Sequence, residues 1–253
     1  LKIYFYPYAS LRDRQLDTIR HWPSDEVVSP KVPDERRGGQ VGATYAKASI
    51  LRKSWKTLIP LMNFKLRPRK APKDAVIYVW GAVVVTGSFI VDLDNPWSLT
   101  GYNLKAMSIY KPILRCILAS SRCREIRCIS EACRLSLKAL FGQKVYDKAC
   151  VHYPYISQMV SSVDSVMPDT CHFLFVGTQF EIKGGEALLK AFQRVYNRVP
   201  SISLDIITHL PERYSDLTKS CEGIRIHEAK FSRDEIHKHF MHNMDVLVLP
   251  TVC

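Results

Sequence analysis

Short apolar runs alternate with longer amphipathic stretches along most of the chain. Ile3–Tyr6, Val76–Trp80, Ser88–Leu93, Glu125–Ile129 and Cys150–Tyr153 read as strands, and Phe173–Val176, Leu204–Thr208, Ile224–His227 and Val246–Leu249 repeat the pattern later. Most are runs of Val, Ile, Leu and Phe without strict polar alternation, as expected of strands covered on both faces. Between them lie helical periods. Leu11, Leu16, Ile19 and Trp22 mark a helix opening at Ser10 and running to about His21. Lys105–Ala119 reads as a second, and Ser130 caps a third that ends at Phe141 before Gly142. Gly184-Gly185 opens a helix to about Asn197, and Ser232 opens one to about His242, with Glu235 completing a capping box. Strand–helix alternation predicts a parallel α/β architecture, built twice. Residues 157–170 have little periodicity and read as a linker. The expected domains are therefore 1–157 and 158–253.

The 17 residues from Ala75 to Val91 carry no charge, about the shortest length that spans a bilayer. They are rich in Val and Ile and broken by Gly81, Thr86, Gly87 and Ser88, so two buried strands explain them better than a membrane helix. The composition, 47% apolar and 24% charged, excludes a disordered or collagen-like chain. Eight cysteines in 253 residues, none in a CxxC pair, read as reduced thiols of a cytoplasmic protein. No secretory signal pattern follows Leu1, and the last residues read as a strand just emerging from a core. A fragment of a longer protein is expected.

Charge divides the chain. The net charge is +12, of which the first 150 residues carry +14 and the remainder −2. The densest basic run, Lys47 to Lys73, has nine basic residues and no acidic one. Ile50, Leu51, Trp55, Leu58, Ile59 and Met62 fall near one helical face of it, and Pro60 should kink or end the helix. Three readings stay open: a domain helix facing its own core, a helix lying on an anionic membrane surface or anionic acceptor, and a nucleic-acid contact. No RNA-binding signature, zinc finger or helix-turn-helix pattern supports the last, and no nucleic-acid partner is expected.

The segment from Phe173 to Phe192 holds the most specific chemistry. A buried strand ends at Gly177, a short loop follows, and Lys183 arrives at a helix start beside Gly184 and Gly185. A helix N-terminus offers unpaired N–H groups and partial positive charge, and with an ammonium beside it the place suits a diphosphate. An ordinary β–loop–α unit with a solvated lysine is the alternative.

The spacing G-x5-K-G-G before Leu188-Leu-x-Ala-Phe192 resembles the nucleotide-sugar site of family 4 (group 1) glycosyltransferases of GT-B fold. Met244-Asp-Val-Leu-Val-Leu-Pro-Thr251 resembles a later strand of that family, Phe231-Ser-Arg-Asp-Glu235 the segment before its preceding helix, and Ile126-Arg-Cys-Ile-Ser-Glu131 a strand-to-helix junction in the first half. The resemblance covers most of 75–253. It implies two Rossmann-like parallel-sheet domains facing a cleft, the second one incomplete. It implies transfer of a sugar from a nucleotide-sugar donor to a sugar or lipid-linked acceptor, with retention of configuration and without a metal or other cofactor.

Residue by residue, the resemblance assigns the donor diphosphate to Lys183, with Gly177 and the Gly184 and Gly185 amides lining the same pocket. Thr178 stands where family members often carry Arg, which removes one cation. Asp94 stands where the family often places His; it would bind a sugar or acceptor hydroxyl or act as a base, while Asp94-Asn95-Pro96 alone reads as a turn. The family's E-x7-E motif would follow Pro250-Thr251, but the sequence ends first, so this chain is expected to be weakly active or inactive. The basic first half fits a lipid-linked or anionic acceptor at the inner face of a membrane, in cell-surface polysaccharide or glycolipid assembly. The rivals are a non-catalytic GT-B-like binding protein and a basic membrane-surface or nucleic-acid binder.

Other groups carry weaker signals. On an α-helix, His239 and His242 share a face while His237 does not, and the set reads as solvated surface. Cys116, Cys123, Cys128 and Cys133 suit no zinc or iron–sulfur spacing and read as free buried thiols. Arg12, Asp13 and Arg14 read as surface salt bridging or an acceptor contact.

Overall fold

The computed structural model describes residues 1–6, 13–29, 59–155, 170–228 and 231–251. Ser10, Arg12, the basic helix before Ile59 and residues 157–169 of the expected linker lie outside them. The described residues form two compact units, one within 1–155 and one within 170–251.

In the first unit the strands are β1 (Ile3–Tyr6), β2 (Phe64–Lys65), β3 (Val76–Trp80), β4 (Val83–Val84), β5 (Phe89–Leu93), β6 (Cys123–Cys128) and β7 (Ala149–Val151). The helices are α1 (Asp13–Arg20), α2 (Leu104–Ala119), α3 (Glu131–Phe141) and α4 (Gln143–Tyr146). Five strands form a parallel sheet in the order β1-β3-β5-β6-β7, and β2 pairs with β4 separately. The sheet is buried on both faces, which explains the unbroken apolar runs. Ile77 and Val79 pack with Val91, Ile126, Leu114, Leu118 and Leu137 on the α2–α3 side. Val76 and Tyr78 pack with Ile3, Phe5 and Trp22 on the other. Asn103 and Ser130 cap α2 and α3 by accepting from Ala106 N (2.9 Å) and Cys133 N (3.2 Å), the second as the sequence predicts. Pro60 opens a 3₁₀ turn, Pro60–Asn63, where its missing N–H costs nothing.

The second unit contains β8 (His172–Val176), β9 (Ser203–Ile207), β10 (Ile224–His227) and β11 (Val246–Leu247), with α5 (Gly185–Tyr196), α6 (Ser215–Lys219) and α7 (Arg233–Ile236). All pairings are parallel and the order is β10-β9-β8-β11. The chain therefore moves outward from β8 through β9 to β10, then returns to the far side of β8. Leu188, Leu189 and Phe192 of α5 pack on Phe175, Leu204 and Ile206. Ile236, Phe240 and Met244 cover Leu174 and Ile207 on the opposite face.

One helix departs from its expected period. The Ser232–Glu235 capping box forms, with Ser232 N donating to Glu235 Oε2 (2.6 Å) and Glu235 N to Ser232 Oγ (3.2 Å). After Ile236 the chain widens into a π turn, His237–Met241. Widening brings residues five apart together, so His237 and His242 stack edge to face at 5.2 Å, in place of the His239–His242 pair that an α-helical period gives. Among the described residues, no helix is long and apolar enough to cross a membrane.

Candidate functional site

The order reversal in the second unit lies between β8 and β11. In open parallel sheets the loops at such a point leave in opposite directions and open a crevice at the carboxyl ends of the strands. Gly177, directly after β8, is fixed there. Its N–H donates to Ile207 O (3.0 Å) and its carbonyl accepts from Thr208 Oγ1 (2.6 Å). Thr178 follows, exposed, and supplies a hydroxyl but no cation. Residues 178–184 then turn tightly into α5. Lys183 is half-buried, and its Cγ lies 3.3 Å from where a Cβ of Gly177 would stand, so its aliphatic stem crosses the strand end. No carboxylate pairs with Lys183 among the described residues.

The amides of this turn are not all available. Gly184 N donates to Glu181 O (2.9 Å) and Gly185 N to Phe180 O (2.8 Å). The first amides of α5 without an acceptor among the described residues are those of Glu186 and Ala187, since Leu188 N already bonds Gly184 O (3.0 Å). The two glycines answer to packing within the protein. Gly184 has φ +76°, and a Cβ there would stand 1.8 Å from Pro250 O. A Cβ on Gly185 would stand 2.2 Å from the Phe180 ring. Pro250 and Phe180 thus occupy the space a side chain would take at the two glycines, both glycine amides are bonded within the turn, and the open amides belong to the next two residues.

Pro250 closes the run from Met244 that the sequence singled out. The β11 pairing, with Val248 N donating to Leu174 O (2.8 Å), brings that run against the Lys183–Gly184 turn. Arg213 also reaches this loop and pairs with Glu181. Glu186, in the first turn of α5, accepts from Lys190 Nζ (2.6 Å) and Tyr214 OH (2.8 Å), and these bonds hold its carboxyl below the usual range.

A second cluster occupies the carboxyl end of the first sheet. Asp94 follows β5, and Tyr102 OH donates to its Oδ2 (2.9 Å). Asn95 caps the following 3₁₀ helix, Pro96–Thr100, accepting from Trp97 N (2.8 Å), so the turn reading of this tripeptide also holds. Arg14 of α1 lies 3.9 Å from Asp92 and 4.0 Å from Asp94, a role deeper than surface salt bridging. Asp92 Oδ2 accepts from Tyr78 OH (2.9 Å), while Oδ1 is buried without a hydrogen bond among the described residues and faces the Arg14 guanidinium at 3.9 Å. Burial raises the Asp92 carboxyl above its usual range, with Asp94 adding to the rise, against the opposing pull of Arg14 and Tyr78. The same burial, with Asp92 beside it, pushes the Tyr78 phenol up. The sequence reading missed Asp92, Tyr78 and Tyr102. The available signal was a carboxylate inside an apolar strand, Phe89-Ile-Val-Asp-Leu93.

The thiols divide by burial. Cys123, Cys128 and Cys133 are buried and free, as expected, whereas Cys116 is exposed on the outer side of α2.

No protein-family model matches the chain, and no curated protein matches it. Among solved structures it is similar to the apo form of the lipopolysaccharide outer core galactosyltransferase WaaB, at 13% identity and a TM-score of 0.54 over 99% of this chain and 74% of that one. It is also similar to S. aureus TarM, at 8% identity and a TM-score of 0.49 over 71% of this chain, and to the Gap123 glycosylation-associated protein complex of Streptococcus agalactiae, at 13% and 0.42 over 81%. The chain spans 36% of the TarM chain and 42% of the Gap123 chain. One TarM structure is a complex with fondaparinux, alpha-GlcNAc-glycerol and UDP. The likeness to WaaB is one of fold: mixed α/β with parallel sheets, of the GT-B type.

Proposed function

We propose that the chain is part of a glycosyltransferase and that its second unit holds the diphosphate of a nucleotide-sugar donor. The observation that carries this is the convergence at the switch point between β8 and β11. Lys183, the open Glu186 and Ala187 amides and the Pro250 turn meet there. An ammonium and two aligned N–H groups suit an anion that gains charge as its bond to the sugar breaks. Lys183 takes the role of stabilising the leaving diphosphate, and Thr178 hydrogen-bonds where a second cation is absent. Asp94, held by Tyr102 and paired with Arg14, takes the role of orienting an acceptor hydroxyl or accepting its proton. The GT-B fold supports the reading.

The acceptor reading extends to an anionic membrane surface. The outward side of α2 exposes Leu104, Ile109 and Ile113 beside Lys105, Lys111 and Arg115, and the helix has no acidic residue. Apolar side chains within a basic face favour an anionic lipid surface.

Calorimetric titration with UDP and other nucleoside diphosphates tests the donor assignment. Lys183→Ala should weaken binding by about tenfold or more, the scale of one partly solvated charge pair. Equal affinity in Lys183→Ala and wild type would overturn the reading. Sedimentation with anionic but not neutral vesicles, reversed by salt, tests the surface, and loss of binding in Ile109→Glu locates it on α2.

A further inference from the structure

Three side chains of different ligand type converge on the α1 face of the first sheet, away from α2 and α3. Glu125 and Arg127 of β6 point to this face, as do Cys150 of β7 and His152 just beyond it. The Glu125 carboxylate, Cys150 Sγ and an imidazole nitrogen of His152 lie within 4.8 Å of one another. Glu125 Oε1 is 3.1 Å from Cys150 Sγ and 3.4 Å from His152 Nε2. A tetrahedral zinc ion sets neighbouring O, N and S donors about 3.4–3.6 Å apart, so the Glu125–His152 edge already fits and the Glu125–Cys150 edge has to widen by about 0.5 Å.

We propose that Glu125, Cys150 and His152 form a zinc-class metal site whose fourth position opens to water. The donor set selects the ion. One thiolate, one imidazole and one carboxylate suit a borderline ion such as Zn²⁺ and do not suit Mg²⁺ or Ca²⁺, which take oxygen donors. His152 is 49% exposed, which gives the ion an entry path. Arg127 Nε donates to Glu125 Oε1 (2.7 Å), and its guanidinium is itself fixed over the Trp22 ring at 4.7 Å. Arg127 thus orients the carboxylate from outside the ligand set, as outer partners of metal ligands do.

Without the ion, the Cys150 thiol donates to Glu125. Burial and that hydrogen bond push the thiol up to about 11. Binding breaks the S–H bond, forms an S–metal bond and releases the proton to solvent; no redox change occurs. The ion would bridge β6 to β7, the last strand of the sheet, and so stabilise that edge. The site does not depend on the donor assignment, because Lys183 and Pro250 belong to the other unit.

The test uses the whole chain, reduced and stripped of metal. Expected results are about one tight Zn²⁺ per chain against a competing chelating dye, a near-ultraviolet thiolate-to-cobalt band when Co²⁺ replaces zinc, and a rise in melting temperature. Cys150→Ser should lose the band, and Cys150→Ser and His152→Ala should each lower affinity by about tenfold or more, while Cys116→Ser and His239→Ala leave both unchanged. Retention of the band and affinity in Cys150→Ser, or no binding by wild type whose circular dichroism shows it folded, would overturn the site. Weak binding indifferent to all four variants would overturn it equally, as adventitious.

Discussion

Gly184→Ala separates the packing role of this glycine from any ligand role. The residue has φ +76°, where an L side chain costs about 1–2 kcal/mol. The new Cβ would also stand 1.8 Å from Pro250 O, a separation no folded chain sustains. Pro250 must retreat, and the strand that leads to it is short: the two-residue pairing of β11 with β8 is flanked by Val248 N to Leu174 O (2.8 Å) and Asp245 N to His172 O (2.9 Å). Loss of one such bond costs about 0.5–1.5 kcal/mol net. The two effects together predict a destabilisation of about 2–3 kcal/mol, read from urea midpoints at constant m. Gly177→Ala is the control. Its φ is not in the left-handed region and its nearest neighbours would stand 3.2–3.3 Å away, so a loss under about 1 kcal/mol is expected. Gly184→Asn tests the mechanism, because Asn tolerates positive φ but still meets Pro250. If Asn restores full stability, strain at φ is the cause and the Pro250 contact is not. If Gly184→Ala costs less than about 1 kcal/mol, the whole account fails.

Two further predictions concern the first unit. The Asp92 carboxyl is raised above its unfolded value of about 3.9, so the native state holds more protons than the unfolded chain as pH rises from there, and stability falls through that window. Asp92→Asn keeps an acceptor for Tyr78 and removes the buried charge; its stability relative to wild type should improve between pH 4 and pH 7, and urea melts showing a constant difference would refute this. Cys116 should react with a maleimide in the native state well before Cys123, Cys128 or Cys133, with peptide mapping by mass spectrometry as the readout, since only Cys116 of the four is exposed.

Local chemistry made much of the architecture legible. Each strand read from the sequence exists within a few residues, because runs such as Val76–Trp80 are apolar enough to require cover on both faces. Asn103 was not read as a cap, but Ser130, Ser232 and Glu235 act where sequence rules place them, since capping involves only neighbours three residues apart. The loop ending in Lys183-Gly-Gly was legible for the same reason. Short elements without periodicity were not read: β2, β4, α4 and α6 have two to five residues each. The π turn at His237 escaped because a single widened turn leaves no mark in an α-helical period.

The sequence by itself determined the alternation of strand and helix, the parallel α/β class and the position of the turn ending in Lys183-Gly-Gly, all consequences of interactions within a dozen residues. Tertiary structure decided the strand order, and with it everything that depends on distant residues meeting. It set Pro250 against Gly184, Arg14 against Asp92 and Asp94, and Glu125 against Cys150 and His152. It also showed that the glycine amides are spent within the turn and that the open ones lie a residue or two further on. Composition and period encode which face of an element is buried; which element covers that face is settled only when the sheet assembles and side chains far apart in the chain compete for the same space.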